Sequence, residues 1–574
     1  MTAARQSMSF ELLRPGDRPR GTVAPSGYGP DASGKWLLSD AFDLATCALI
    51  VVLIISVLWT FRDYAVSNDE VVQHQYGKLI LDYYLSGFRN PDVFSFDNLY
   101  LYGGLFDIVA VTLAHLIPID VFDLRHILCA LIGIGGIAAT AATARLVAGP
   151  RAGLLATLSL ALCGPWYGAM FNHTKDIPFA AAVMGAMLVL IRIGRRMSSP
   201  SGADILALGL FLGAALGLRV LGLLIVVYIG FATVLYLPWS AGPNTLRRAA
   251  AAAAIRLLPA LILAYLVMVA AWPWSALAPM NPIRGLFAFS DFHYPIRTYF
   301  AGRIYKMSDV PRAFVPTYIL IRVPLLTLAG AAIAVAAALA RLRGKVVQQQ
   351  KDVALLSLAI VFPLACQVIL HGPAFTGMRH FLFVLPPLAA LAGIGLDKAL
   401  AMAGERRRIV ASCGAAVISA CLLWDASVLY RLHPYENLYY NPLVGGLAGA
   451  FRRYDLDYWF NSMPEAIRRL EAYATASARE TGFEPGQVYS VAVCGERVSF
   501  ERTVTLPQLR WDFKPEWNQS EFFIAPTHMN CDQDLDGKVV ATVERFGVPL
   551  AYVKDRRSLV KPPPAKVISH VPID

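Results

Sequence analysis

Long apolar runs separated by short charged loops fill the chain from about residue 44 to residue 430. A helix needs roughly 20 apolar residues to cross a bilayer, fewer where neighbouring helices shield its ends. By that measure the runs at 44–61, 126–147, 152–171, 177–194, 203–217, 220–238, 255–273, 317–340, 353–371, 380–401 and 409–430 predict about eleven transmembrane helices. The stretch 104–118 is apolar too, but it is short and interrupted by Asp107 and His115. Counting it as a span would invert every loop that follows. With 76–84 it is therefore expected to lie on the outer membrane surface as an interfacial segment. Beyond 431 the pattern changes. Residues 433–459 are rich in Tyr, Asn and Gly, 464–474 are amphipathic, and 488–493, 522–524, 538–543 and 550–553 read as short strands. A small α/β domain outside the membrane is expected there.

The basic residues assign the sides. Arg145 and Arg151, the group Arg192, Arg195 and Arg196, then Arg247, Arg248 and Arg256, then Arg341, Arg343, Lys345 and Lys351, and finally Arg406, Arg407 and Arg408 occupy every second loop. Such loops face the cytoplasm. Outward-facing segments are then 62–125, 172–176, the turn at Arg219, 274–316, 372–379 and the tail after 430. Residues 1–40 are polar, rich in Gly, Pro and Ser, and lack a signal-peptide core, so a disordered cytoplasmic arm is expected. The expected organisation is that arm, a membrane domain over 41–430 with its large outer loop at 62–125, and an exoplasmic α/β domain over 431–574.

Composition narrows the class. The 574 residues are 56% hydrophobic and 16% charged, which excludes a soluble globular protein and marks a polytopic α-helical membrane protein. The net charge of +11 sits in loops between spans, so it argues for membrane orientation and against nucleic-acid binding. Six of the eight cysteines lie in apolar runs and read as small buried hydrophobes. Cys494 and Cys531 lie in the polar tail, where an oxidising compartment would allow a disulfide between them. No Cys/His metal spacing appears.

Candidate chemistry gathers on the outer side. Asp69 and Glu70 follow the first span, and charges kept at a membrane boundary are functional candidates. His173, Lys175 and Asp176 share a loop too short to be a domain; Asp176 alternatively caps the next helix. Arg219 interrupts an apolar run and needs an anionic partner, either a bundle carboxylate or a lipid phosphate. Arg379 and His380 add cations at another outer helix start, where headgroup anchoring is the plainer alternative. Separated carboxylates with Lys and Arg beside lipid suit transfer of a group from a lipid phosphate to a hydroxyl. A carboxylate would take the hydroxyl proton while Lys175, His173, Arg219, Arg379 and His380 hold the phosphate. No nucleotide-binding glycine motif is present. The metal, if any, stays open: Asp69 and Asp176 are chemically suited to Mg²⁺ or Mn²⁺, without a defined ligand set.

Several stretches in order carry a resemblance: His173-Thr174-Lys175-Asp176-Ile177-Pro178-Phe179, Trp272-Pro273-Trp274, Arg379-His380-Phe381-Leu382 leading into Leu385-Pro386-Pro387, Tyr440-Asn441-Pro442-Leu443-Val444-Gly445-Gly446, and Asp457-Tyr458-Trp459. Over residues 60 to about 470 the chain resembles GT-C-type membrane glycosyltransferases, in particular the protein O-mannosyltransferase and aminoarabinose-transferase-like family (glycosyltransferase family 39 and its bacterial relatives). That resemblance implies Asp69 as catalytic base, Glu70 as its neighbour in the acidic pair and Asp176 as the second acid. It also implies a polyprenyl-phosphate sugar donor and inversion at the anomeric centre without a covalent intermediate. Eukaryotic protein mannosyltransferases carry a β-trefoil in a luminal loop, and 274–316 is too short for one. A bacterial inner-membrane enzyme acting on an envelope glycan, lipid or protein hydroxyl is the expectation. A transporter or lipid flippase is the alternative from another class, and would show mid-membrane charges and repeated halves. A catalytically silent scaffold is the third.

Overall fold

The computed structural model describes residues 40–197, 199–290, 295–341, 347–476, 481–484 and 486–560. The expected N-terminal arm lies outside the described residues, apart from Asp40. That residue caps the first helix, α1 (Ala41–Thr60), by accepting from the N–H groups of Phe42 and Asp43. After a short connection come α2 (Asn68–Leu85), α3 (Leu105–Ala114) and α4 (Val121–Ala148). The short helix α3 is where an interfacial segment is expected, and at 10 residues it is about half the length a span needs.

The chain is an integral membrane protein. Among the described residues seven helices are long and apolar enough to cross a bilayer, or nine if the bent pairs Pro150–Ala161 with Gly164–Asn172 and Phe314–Arg322 with Leu325–Ala340 each count as one span. The helical membrane architecture is as expected, and by length and composition the count of about eleven is not reached. The two runs at 203–217 and 220–238 do fold as helices, Gly202–Leu216 and Leu223–Tyr236, but with 15 and 14 residues both are short. At about 1.5 Å per residue neither reaches across a hydrocarbon core of about 30 Å. The break between them falls at Arg219, whose backbone is extended and whose guanidinium is drawn to Asp176.

Arginines at the loop ends are tied to acids on neighbouring helices. Arg145 meets Asp43 at 2.7 Å, Arg151 meets Asp397 at 2.6 Å, Arg192 meets Asp204 at 2.9 Å and Arg195 meets Asp352 at 2.5 Å. These ion pairs tie helix ends together across the bundle.

In the segment 274–316 a hairpin pairs β1 (Arg297–Phe300) with β2 (Arg303–Lys306) through Ala301 and Gly302, at φ 49° and 81°. Positive φ at both central positions is the type I′ turn, one of the two-residue turns that follow the right-handed strand twist. The tail carries β3 (Tyr489–Val493), β4 (Leu509–Asp512), β5 (Phe522–Pro526), β6 (Lys538–Arg545) and β7 (Val548–Asp555) in the order β4-β3-β5-β7-β6. β3 runs parallel to β4 and β5, whereas β7 is antiparallel to β5 and β6. The helix Met463–Thr475 lays Ile467 and Leu470 on the sheet, within one apolar core that also takes in Val491, Ile524 and Val553. Cys494 and Cys531 are joined by a disulfide, with Cα atoms 6.6 Å apart.

Candidate active site

The first turn of α2 separates the two adjacent acids. Ser67 accepts from the Glu70 N–H while Glu70 Oε2 accepts from the Ser67 N–H at 2.9 Å, a reciprocal cap on the helix start. Glu70 is fully buried, and its other oxygen lies 3.2 Å from His126 Nε2. Its carboxylate is thus committed to holding the helix rather than facing a substrate. Asp69, one residue earlier on the turn, points the other way with its side chain 35% exposed.

Asp69 faces a cluster assembled from four separate segments. Asp176 is the first residue of the helix Asp176–Arg195 and is buried. One of its oxygens pairs with Arg219, and the other accepts from Arg379 Nε at 3.1 Å. Arg379 reaches Asp69 with its terminal nitrogen, so a single guanidinium bridges both carboxylates. Its flat face lies 4.4 Å from the Trp459 ring centroid. No helix cap forms through the Asp176 side chain, since its oxygens are taken by the arginines. Lys175 is buried with Nζ 4.0 Å from the Tyr102 ring centroid, and it makes no ion pair among the described residues.

His173 stands beside this cluster without joining it by a hydrogen bond. Asn172 gives its amide N–H groups to the Ala65 carbonyl at 3.2 Å and to Asn461 Oδ1 at 2.7 Å. Its own Oδ1 therefore accepts from His173 Nδ1 at 3.1 Å, which leaves Nε2 to accept from the Tyr458 hydroxyl. The His173 ring lies 4.1 Å from that of Trp459. His380 packs edge-on against Phe375, with ring centroids 4.6 Å apart.

Burial and charge act against each other here. Burial pushes the Asp69 carboxyl up, but Arg379 and Lys175 together outweigh it and hold the group below the usual carboxylate range. Lys175 is pushed down to about 8 by burial, against the pull of Asp107 and Asp69. Burial likewise takes His173 down to about 3 and keeps it neutral, in agreement with its acceptor role toward Tyr458. Both oxygens of Asp176 and Oδ2 of Asp69 are taken by Arg379 and Arg219, so the two carboxylates as arranged do not fit a shared Mg²⁺ or Mn²⁺ site. Among the described residues one group of potential ligands lies close enough together for a metal, Cys494, Cys531 and Asp534, and its cysteines are disulfide-bonded.

Sequence reading passed over a second layer behind Lys175. Arg125, fully buried at the start of α4, donates to Asp107 at 2.8 Å and to Thr174 at 3.1 Å, and Thr174 donates to Gln73 at 2.7 Å. These contacts tie α2, α3 and α4 to the loop that carries Lys175 and Asp176. Burial pushes the Asp107 carboxyl up, with Arg125 opposing it. Arg125→Met is expected to lower stability by about 3–5 kcal/mol, because it strands a buried acid. Thermal unfolding in detergent checks this, and Arg125→Met with Asp107→Leu should lose less than the single variant. A lone arginine at the head of an apolar run is the same signal that singled out Arg219, and it was present at Arg125. Tyr102 carries no comparable signal, and Tyr458 and Trp459 stand out only within the Asp457-Tyr458-Trp459 stretch of the resemblance.

No family model matches the chain, and no curated protein matches it. Among solved structures the chain is similar to ArnT from Cupriavidus metallidurans bound to undecaprenyl phosphate, with 15% identity and a TM-score of 0.46 over 92% of this chain and 100% of that one. It is also similar to the apo oligosaccharyltransferase of Archaeoglobus fulgidus, at 14% identity and TM-score 0.45 over 80% and 63% of the two chains. A third similarity is to AglB from Archaeoglobus fulgidus in complex with an inhibitory peptide and a dolichol-phosphate, at 13% identity and TM-score 0.45 over 86% and 70%.

Proposed function

We propose that this membrane protein is a GT-C-type glycosyltransferase. It moves a sugar from a polyprenyl-phosphate donor to a hydroxyl on an envelope glycan, lipid or protein at the exoplasmic face. The observation that carries this reading is Arg379 bridging Asp69 and Asp176, with Arg219 on the far oxygen of Asp176 and, beside them, Lys175, which has no ion-pair partner among the described residues. Two carboxylates against two arginines and a lysine leave one positive charge unmatched, which suits a lipid phosphate.

The donor phosphate takes N–H groups of Lys175 and Arg379, and Arg379 is well shaped for it because its planar fork offers paired donors. As the phosphate draws on Arg379, Asp69 loses the partner that most stabilises its anion and becomes a stronger base. Asp69 then accepts the proton of the acceptor hydroxyl. The hydroxyl oxygen forms its bond to the anomeric carbon on the face opposite the phosphate. The bond from that carbon to the phosphate oxygen breaks, its electron pair leaves with the phosphate, and the configuration inverts. Lys175, Arg379 and Arg219 meet the negative charge that develops on the leaving phosphate. Asp176 keeps the two arginines aimed inward, and Glu70 supports α2 from behind.

Radiolabelled sugar transfer from a panel of polyprenyl-phosphate sugars to membrane acceptors, catalysed by the purified protein, tests the reaction. Label that never moves across the panel, from a protein that binds polyprenyl phosphate, would sink the transferase and favour the transporter. Reporter fusions after residues 70, 122, 176 and 460 test the sides. An inward-facing Asp176 is incompatible with a shared outer site.

A pH prediction follows from Lys175. In the free enzyme the cation is present below about 8 and is lost above it. The ratio kcat/KM for the lipid-linked donor is expected to fall through that region as pH rises, by up to about tenfold per unit. Lys175→Arg should keep the ratio flat there, since arginine does not deprotonate.

A further inference from the structure

The segment just before Arg379 is held from the tail by a buried carboxylate that the mechanism does not use. Asp455 is 2% exposed. It accepts from the Tyr299 N–H at 2.9 Å, from the Gly377 N–H at 3.1 Å and from the Thr298 hydroxyl. Its own backbone is fixed as well: its N–H donates to the Tyr318 hydroxyl at 2.9 Å, and its carbonyl accepts from the Tyr440 hydroxyl at 2.7 Å. The nearest basic group is His528, at 4.0 Å. The charge of Asp455 is thus met by neutral N–H and O–H donors from the outer hairpin and from the loop leading to Arg379.

That loop needs the support. Thr376 and Gly377 both have positive φ, 50° and 64°, and for threonine this conformation is strained. The Arg379 N–H closes the turn onto the Thr376 carbonyl at 3.4 Å. A hydrogen bond from Gly377 to Asp455 holds the turn from outside, two residues before the guanidinium that bridges Asp69 and Asp176. Four residues further along the tail, Trp459 covers that same guanidinium. One strap of the tail therefore holds the turn before Arg379 and covers the face of its guanidinium.

We infer that Asp455 is a positioning residue for Arg379: by holding the Thr376-Gly377 turn it sets where the guanidinium meets the donor phosphate. The tail is then a structural part of the active site rather than a cover over it. This rests on reading Arg379 as a phosphate ligand, and the test separates the two.

Trp459 reports the position of Arg379 without any substrate. In protein labelled with 5-fluorotryptophan, the ¹⁹F line of Trp459 is assigned by its loss in Trp459→Phe, and Arg379→Lys calibrates the shift caused by moving the guanidinium. Asp455→Asn puts an amide where N–H donors converge and is expected to move that line in the same direction. Binding of sugar-free polyprenyl phosphate should weaken roughly 10- to 100-fold, the loss typical of a misplaced binding group. Gly377→Ala attacks the turn from its other side, because the added Cβ would lie 3.2 Å from the Tyr318 ring at positive φ. It should move the same line, and the double variant should add little to either single one. An unmoved Trp459 line in folded Asp455→Asn, or in folded Gly377→Ala, overturns the inference whether or not phosphate binds. Lines that move in a protein that never binds polyprenyl phosphate leave Asp455 as the positioner and remove the function assigned to Arg379. Stability losses that simply add, with the line in place, reduce Asp455 to a general structural role.

Discussion

Asp69→Asn is expected to lower the rate of sugar transfer by about 10²- to 10⁴-fold, the range for losing a positioned general base. The change is close to isosteric, so α2 and its reciprocal cap through Ser67 and Glu70 should persist. It also removes the negative charge that holds one end of Arg379. Freed from that pairing, Arg379 remains available to phosphate, so polyprenyl phosphate should bind the variant at least as well as the wild type. The signature is therefore a fall in kcat without a rise in donor KM, which marks an interaction made in the transition state. Glu70→Gln should behave differently. It disturbs the buried contact with His126 and acts on stability before rate. Single-turnover transfer with prebound donor distinguishes the two. Wild-type turnover in Asp69→Asn would place the base elsewhere.

The second large effect is at Arg379. Arg379→Gln is expected to reduce transfer by about 10²- to 10³-fold, the scale seen when one preorganised donor to a developing charge is removed. Unlike Asp69→Asn, it should also weaken phosphate binding, because it removes the phosphate contact itself. It leaves Asp69 and Asp176 facing each other without the cation between them, and Asp176 is buried. A stability loss of about 3–5 kcal/mol is expected from breaking the bridge. Arg379→Lys should restore charge and part of the stability but little of the rate, because a lysine ammonium cannot span both carboxylates as a planar fork does. Turnover and thermal unfolding measured side by side check the pair of effects. A lysine variant with full activity would mean that charge alone, and not bridging geometry, is what the site needs.

Much of the site was legible as residues but not as an arrangement. Asp69, Lys175, Asp176, Arg219 and Arg379 were each marked because a charge at a membrane boundary needs a reason. The structure brings these five together from segments far apart in the chain. Glu70 was marked by the same rule, yet it belongs to a helix cap. The pattern Ser67-x-x-Glu70 that forms the cap is itself a sequence signal, so that distinction was within reach. His173 and His380 lie beside the cluster, one neutral and bonded to Tyr458, the other edge-on to Phe375, and neither makes an ion pair among the described residues. Asp455 gave no sign at all. An acid in a loop rich in tyrosine, with Asp457 two residues on, has no pattern that marks it, and its three donors come from Thr298, Tyr299 and Gly377.

What the sequence determined by itself is whatever depends on neighbours along the chain. Apolar length marks the spans, alternation marks the tail strands, and Ser67 and Glu70 start α2. The two apolar runs over 203–238 form helices shorter than a full span, and Arg219 at the break between them pairs with an acid 43 positions earlier in the chain. Tertiary structure alone decided which charges are partners, since a buried ion pair forms between groups that packing brings within a few ångströms, regardless of their separation in sequence. It decided that one arginine serves two carboxylates, and that a tail more than 70 residues beyond Arg379 supplies both the ring over its face and the carboxylate behind its turn. Periodicity along a chain reports burial against a common environment, and it carries no record of which distant group will lie across the interface.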